Sequence, residues 1–421
     1  MIPANETSSI KKEYAEKADL LIQHATANDR AFQRMAYLCD TFGPRFSGST
    51  NLENAIDWIL AEMKKDGLQN VRGDEVMVPH WVRGNESLEL VEPHNRKLKL
   101  LGLGGSIATP PDGITAEVFV VRDFAELLNN PARAEGKIVV FNAPFTEYSS
   151  TVLYRTRGAM EAARAGAVAS LVRSVAPFSL YTPHTGGMRY AEDVQKIPHA
   201  AITLEDAEMM QRMQDRGQKI VLTLKMEAKT LPPARSRNVI AEIVGREKPE
   251  EIVIVSGHID SWDIGQGAMD DAGGCVAAWE AVRLMHELNL RPRRTVRVVL
   301  WTNEENGLRG AREYREKYKA DLKNHVLAIE SDEGVFKPRG FAFKGTEKAT
   351  ETVRQIMELL NPLGATQLTL DAGGADISQL EDDGVPLMDL RVDPTKYFWY
   401  HHTEADTVDK LDKDEFNQCV A

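Results

Sequence analysis

Three short β-favouring runs in the second half of the chain each open into a patch of carboxylates, and this repetition restricts the fold more than any other feature. Ile252–Val255 leads into Gly257–Gly274, GHIDSWDIGQGAMDDAGG. Thr295–Trp301 leads into Thr302-Asn303-Glu304-Glu305, and Val326–Ile329 into Glu330-Ser331-Asp332. Short apolar runs bounded by glycine and small polar residues read as buried strands running out into loops. In open α/β sheets ligands bind at the carboxyl ends of such strands. The pattern therefore predicts an α/β fold with its site along one sheet edge.

The residues at that edge point to a metal. His258 offers an imidazole nitrogen and Asp270 a carboxylate, while Asp260, two residues after His258, is placed to hold the imidazole in one tautomer. Of two adjacent glutamates at a strand end, Glu304 and Glu305, one binds metal while its neighbour faces a substrate water as a general base. Two unpaired carboxylates beside a long apolar run are costly unless something cationic faces them. With Asp332 and the later run His401-His402-Thr403-Glu404-Ala405-Asp406-Thr407, the candidate ligands are His258, Asp270, Glu305, Asp332 and His402. Two histidines and three carboxylates cannot close two separate zinc sites, but they suffice if one carboxylate bridges a pair of ions. A mixed nitrogen and oxygen set suits Zn²⁺ best, with Mn²⁺ or Co²⁺ as other occupants.

In their order, HxD, GAxDD, EExGLxG, an aspartate and HTxxDT, the motifs resemble the M28 family of co-catalytic zinc exopeptidases. The similarity extends to FGPRFSGS at 42–49, LRPRRTVRVVLWTNEE at 290–305 and KYFWYHH at 396–402, and so covers nearly the whole chain. The resemblance implies a zinc-exopeptidase mixed-sheet sandwich with helices on both faces, interrupted by an inserted protease-associated α/β domain. It makes Asp270 the bridging ligand of two Zn²⁺ per chain, with His258 and Asp332 on one ion and Glu305 and His402 on the other. Glu304 becomes the base, and a cis peptide bond is implied between Asp270 and Asp271. Where several family members have a tyrosine before the last histidine ligand, this chain has His401, an alternative oxyanion donor or an aromatic packing residue. Asp406 is either a partner of His402 or a turn residue. The activity implied is hydrolysis of small peptides, unsubstituted dipeptides foremost, by a homodimer that is secreted or lysosomal. The alternatives are an M28 aminopeptidase and, from another class, a non-catalytic binding protein on a peptidase scaffold.

With 421 residues the chain can build two domains. Its net charge of −12 argues against nucleic acid or anionic membrane surfaces as partners. No apolar run approaches the roughly 18–20 residues of a membrane span. The amino end is polar and lacks a signal-peptide core, so either the chain is cytosolic or a leader has been removed, and the resemblance favours removal. Asn5-Glu6-Thr7 and Asn85-Glu86-Ser87 are glycosylation sequons compatible with export. Cys39, Cys275 and Cys419 have neither disulfide-framework nor zinc-ligand spacing and read as buried small apolar residues.

Breaks in the pattern suggest a division into 1–109, a first part of the peptidase domain; 110–233, the protease-associated domain; and 234–421, the part carrying the metal site. The first boundary rests on Pro110-Pro111-Asp112-Gly113, the second on Thr230–Pro233. Val76–Val78 and Leu88–Val91 are expected in the peptidase sheet. Tyr181–Gly187 is either a loop that reaches the site or an exposed connection. Asp409–Ala421 reads as the start of a helix, which suggests a carboxyl-terminal truncation.

Overall fold

The computed structural model describes residues 9–421, so the sequon at Asn5 lies outside the described residues. The chain divides into two compact units. One takes the chain up to Val78, Ala234–Tyr397 and Asp406–Ala421; the other takes Pro79–Pro233 and Phe398–Ala405.

The first unit is built on an eight-stranded mixed sheet. Its strand order is Gln69–Val82, Lys229–Ile243, Arg294–Trp301, Lys248–His258, His325–Glu330, Leu387–Val392, Pro338–Lys344 and Gln367–Thr369. The four central strands run parallel, with His258 opposite Trp301 and Ser256 opposite Glu330, so the carboxylate-bearing ends emerge along one edge. Burial on both faces explains why these strands read as continuous apolar runs instead of alternating ones. Ile254, Val299 and Trp301 pack with Tyr314, Leu380 and Leu387. Helix Gly273–Glu287, starting just after Asp270 and Asp271, carries the fully buried Trp279 against Trp58 of helix Thr50–Lys65. That second helix starts where Ser49 accepts the Leu52 N–H at 3.2 Å, with Glu53 in its first turn and Lys64 and Lys65 in its last, complementing its dipole.

The second unit is also an α/β layer. Strands Ile114–Val121, Ile138–Phe141, Ala169–Arg173 and His199–Ile202 form its parallel centre. Helix Leu204–Asp215 contributes Ala207, Met210 and Met213 to one core cluster, and helix Tyr148–Arg164 contributes Ala159 and Ala162 to another. Strand Glu86–Glu92 pairs antiparallel with Val221–Met226, and Leu100–Gly102 with His199–Ile202. Leu88–Val91 therefore belongs to this sheet and not to that of the first unit, and the division falls at Pro79 instead of near 110. Pro110-Pro111-Asp112-Gly113 is a turn inside the second unit, closed by Gly113 N–H to the Pro110 carbonyl at 2.8 Å. A turn signal is local and does not distinguish a connection within one sheet from a passage between two.

Among the described residues no helix is long and apolar enough to cross a membrane. Cys39 and Cys275 are buried, Cys419 is half-buried, and all three are free thiols. The last helix, Lys413–Val420, is capped by Asp412, which accepts the Asp414 and Glu415 N–H groups. It buries Phe416 completely, edge-on to Phe32 at 6.1 Å between ring centroids. Phe416→Ala should cost about 3–5 kcal/mol, the range for emptying a buried aromatic site. Urea unfolding of both proteins checks this, and a loss below about 1 kcal/mol would mean that the helix is held chiefly by its cap.

Candidate metal centre

His258 ends its strand with 1% of its surface exposed, fixed from three sides. Its N–H donates to Asp271 Oδ2 at 3.0 Å, and Nδ1–H donates to the backbone carbonyl of Asp260 at 2.9 Å. A carbonyl can only accept, so the lone pair resides on Nε2. That nitrogen lies 3.0 Å from Asp270 Oδ1 and 3.0 Å from Asp332 Oδ1. Three lone-pair-bearing atoms converging at hydrogen-bond distance repel one another unless a proton or a cation sits among them.

The remaining acids sharpen that requirement. One ligand atom each from His258, Asp270 and Glu305 lie within 4.8 Å of one another, and the same holds for His258, Asp271 and Asp332. Burial opposes charge on His258, but the carboxylates of Asp332 and Asp270 outweigh it and hold the imidazole well above its usual range. Burial, followed by the charges of Asp332 and Glu305, pushes the Glu304 carboxyl well up. The donor set of imidazole and carboxylate oxygen fits a borderline-soft divalent ion such as Zn²⁺.

The backbone around the site has little freedom. The peptide bond between Asp270 and Asp271 is cis. Asp271, fully buried, accepts the His258 and Gly274 N–H groups at 3.0 and 2.9 Å. A Cβ on Gly257 would lie 2.5 Å from Asp271 Oδ2, and one on Gly274 would lie 1.9 Å from the Ser331 carbonyl oxygen. Only glycine allows these segments to approach so closely. At the end of the neighbouring strand Asn303 has φ +66°, a left-handed conformation that asparagine tolerates better than most residues. This turn precedes Glu304 and Glu305, both half-buried.

Two residues do something other than expected. The Asp260 carboxylate does not hold the His258 ring: Oδ1 is 3.9 Å from Nδ1 and instead accepts the Glu304 N–H at 3.0 Å, while Oδ2 accepts from Ser47 Oγ at 3.2 Å. Asp406 is more than a turn residue. It accepts the Ala268, Met269 and Asp270 N–H groups at 3.1, 2.7 and 3.2 Å.

Arg45 is a structural residue that the sequence did not single out. Fully buried, it donates to the carbonyls of Ile259, Gly43, Gln266 and Gly267 at 2.7–3.0 Å, clamping the loop between His258 and Asp270. Its place in FGPRFSGS was the available signal. His401 and His402 lie on Phe398–Ala405, in the second unit. His401 packs edge-on to Tyr148 and Phe398 at 5.5 and 5.6 Å, and its ring stacks on that of His402 at 3.5 Å.

Residues 238–421 match the model of peptidase family M28. The chain is 50% identical over 426 residues to carboxypeptidase Q of Bos taurus, covering 100% of this chain and 90% of that protein. Among solved structures it resembles a peptidase M28 precursor from Shewanella amazonensis SB2B, with 35% identity, a TM-score of 0.94, and 97% and 95% of the two chains covered. It also shares the fold of a zinc aminopeptidase from Bacillus subtilis, at 21% identity and a TM-score of 0.68 over 93% of each chain.

Asp406→Asn keeps an acceptor oxygen but presents an NH₂ group to the amides of the Asp270 turn. Apparent zinc affinity should fall about 10–100-fold, the usual effect of losing a group that orients a ligand. Chelator competition measures this, and an unchanged affinity would show that the Asp270 turn holds its shape unaided.

Proposed function

Because the chain belongs to peptidase family M28, we propose that it is a co-catalytic di-zinc exopeptidase of small peptides and that its substrates are unsubstituted dipeptides. The family carries the class, metallo-exopeptidase. The two-zinc count, the residue roles and the dipeptide preference are our reading. The observation that supports it most directly is the buried His258, whose Nε2 faces both Asp270 Oδ1 and Asp332 Oδ1 at 3.0 Å. We assign His258 and Asp332 to one ion, Glu305 and His402 to the other, and Asp270 to both; His402 rests on its motif, His402-Thr403-x-x-Asp406-Thr407.

Zinc held by these residues supplies Lewis acidity, acidifying water and polarising a peptide carbonyl. Glu304 takes one proton from the attacking water as its oxygen bonds to the carbonyl carbon, then returns it to the amine nitrogen as the C–N bond breaks. Asp260 fixes the Glu304 backbone through the 3.0 Å hydrogen bond, which limits where that carboxylate can reach. Asp271 and Asp406 hold the backbone of the proposed ligands His258 and Asp270.

Glu304→Gln should lower kcat by about 10²–10⁴-fold, the worth of a positioned general base, with zinc content unchanged by elemental analysis. Zinc loss in that variant would make Glu304 a ligand instead. The substrate reading is tested by hydrolysis of free dipeptides, amino-blocked dipeptides and aminoacyl-nitroanilides by zinc-loaded and chelated enzyme. Zinc-dependent cleavage of free dipeptides alone is expected. Nitroanilide cleavage would identify an aminopeptidase, and no cleavage of any substrate a binding scaffold.

A further inference from the structure

Within the second unit the dipeptide His401-His402 is stitched to the loop that contains His184 and Thr185. His184 Nδ1–H donates to the His401 carbonyl at 2.7 Å, and the Thr185 N–H donates to the His402 carbonyl at 2.9 Å. Between them these bonds hold His402 at φ +60°, a conformation few non-glycine residues adopt. The Thr185 carbonyl then turns back to the ring, 3.3 Å from His402 Nδ1. Of two neighbours of Nδ1, this carbonyl, which only accepts, is nearer than Arg155 Nη1, which only donates and lies 3.5 Å away, and the nearer contact favours the proton on Nδ1 and the lone pair on Nε2.

Arg155, on helix Tyr148–Arg164, completes the arrangement. Nη1 donates to the same Thr185 carbonyl at 3.3 Å and lies 3.5 Å from His402 Nδ1, while Nη2 donates to the Tyr148 hydroxyl at 3.0 Å. The residue is 7% exposed, its Nε has no hydrogen-bond partner, and its other contacts among the described residues are to a carbonyl, a ring nitrogen and a hydroxyl, none of them a carboxylate. An unpaired buried guanidinium is costly, so stability does not explain its place. The backbone accommodates it specifically: Gly186 has φ +140°, and a Cβ there would lie 2.3 Å from the guanidinium carbon.

We infer that Arg155, acting through the Thr185 carbonyl, is a positioning residue for His402, fixing the Nδ1–H tautomer so that Nε2 carries the lone pair a metal takes. This rests on the reading of His402 as a zinc ligand. Arg155 itself touches neither metal nor substrate in this proposal; it orders the acceptor that orders the ring. The loop containing His184 and Thr185 thereby has a task in the chemistry, although it supplies no ligand.

Zinc stoichiometry and affinity, measured by elemental analysis and chelator competition, test the inference in wild type, His402→Ala, Arg155→Met and Arg155→Lys. Expected are two zinc ions in wild type, one in His402→Ala, and a second ion bound about 10–100-fold more weakly in Arg155→Met, with partial recovery in Arg155→Lys, which retains a donor for the Thr185 carbonyl. Two tightly held ions in His402→Ala would remove the ligand reading, whatever Arg155 does. One ion in His402→Ala together with wild-type affinity for both in Arg155→Met would overturn the inference alone. Nitrogen chemical shifts of ¹⁵N-histidine-labelled, zinc-loaded wild type, assigned by loss of a signal in His402→Ala, give a check that does not depend on how the arginine variants fold. Nδ1–H on His402 is expected, and Nε2–H overturns the proposal.

Discussion

Negative charge crowded into a poorly solvated space is the constraint on which the first unit depends. Asp270, Asp271, Asp332, Glu304 and Glu305 gather around one imidazole where four parallel strands end. In water such a group would spread apart; at a sheet edge, with strands fixed in register, it cannot. Bringing like charges together and removing their solvent are both unfavourable, and each is offset by a cation of suitable size. The fold supplies part of that compensation through backbone N–H groups and the start of helix Gly273–Glu287. What remains falls to metal, and so the residues that make the site reactive also make the apo chain electrostatically unfavourable there.

Arg45 shows how the chain avoids solving that problem prematurely. A buried arginine near acids would ordinarily pair with one and neutralise it. Here the guanidinium donates to main-chain carbonyls on either side of the loop, those of Gly43, Ile259, Gln266 and Gly267. The guanidinium therefore shapes the loop and leaves the carboxylates to other partners. Its planar fork of donors suits it for holding several carbonyls at once, which a lysine could not do.

Much of this was legible in the sequence because its physical causes are periodic or local. Parallel strands buried on both faces must be apolar throughout, so Ile252–Val255, Thr295–Trp301 and Val326–Ile329 announced the sheet, and the acids that follow them announced the cluster at its edge. The anchoring contacts were not legible. Asp260 is two residues from His258 yet holds Glu304, and Asp406 lies more than a hundred residues from the turn it holds. Both act on backbone N–H groups, which every non-proline residue possesses, so the partner's identity leaves no mark on the sequence. The division at Pro79 was hidden for a related reason: strand partners are chosen by the whole sheet, and Leu88–Val91 has the same apolar character whichever sheet receives it.

Taken together, the anchors interlock the motifs. HxD contributes a proposed ligand, His258, and an acid, Asp260, that fixes Glu304 of the glutamate pair. The Asp-Asp pair contributes a proposed ligand, Asp270, and an acid, Asp271, that fixes the His258 backbone. HTxxDT contributes His402 by motif and an acid, Asp406, that fixes the Asp270 backbone. Each second acid thus holds a residue of another motif instead of its own, through hydrogen bonds to backbone N–H groups. Linked in this way, the motifs are not independent contributors whose effects add, because displacing one anchor moves a residue belonging to the next. Acids drawn from separate stretches of chain are thereby kept in place, since none of these stretches can relax without disturbing its neighbour's contact. The same interlock accounts for the acids that follow His258 and Asp270 so closely in the sequence: Asp260 and Asp271 each sit beside a proposed ligand but take a different partner.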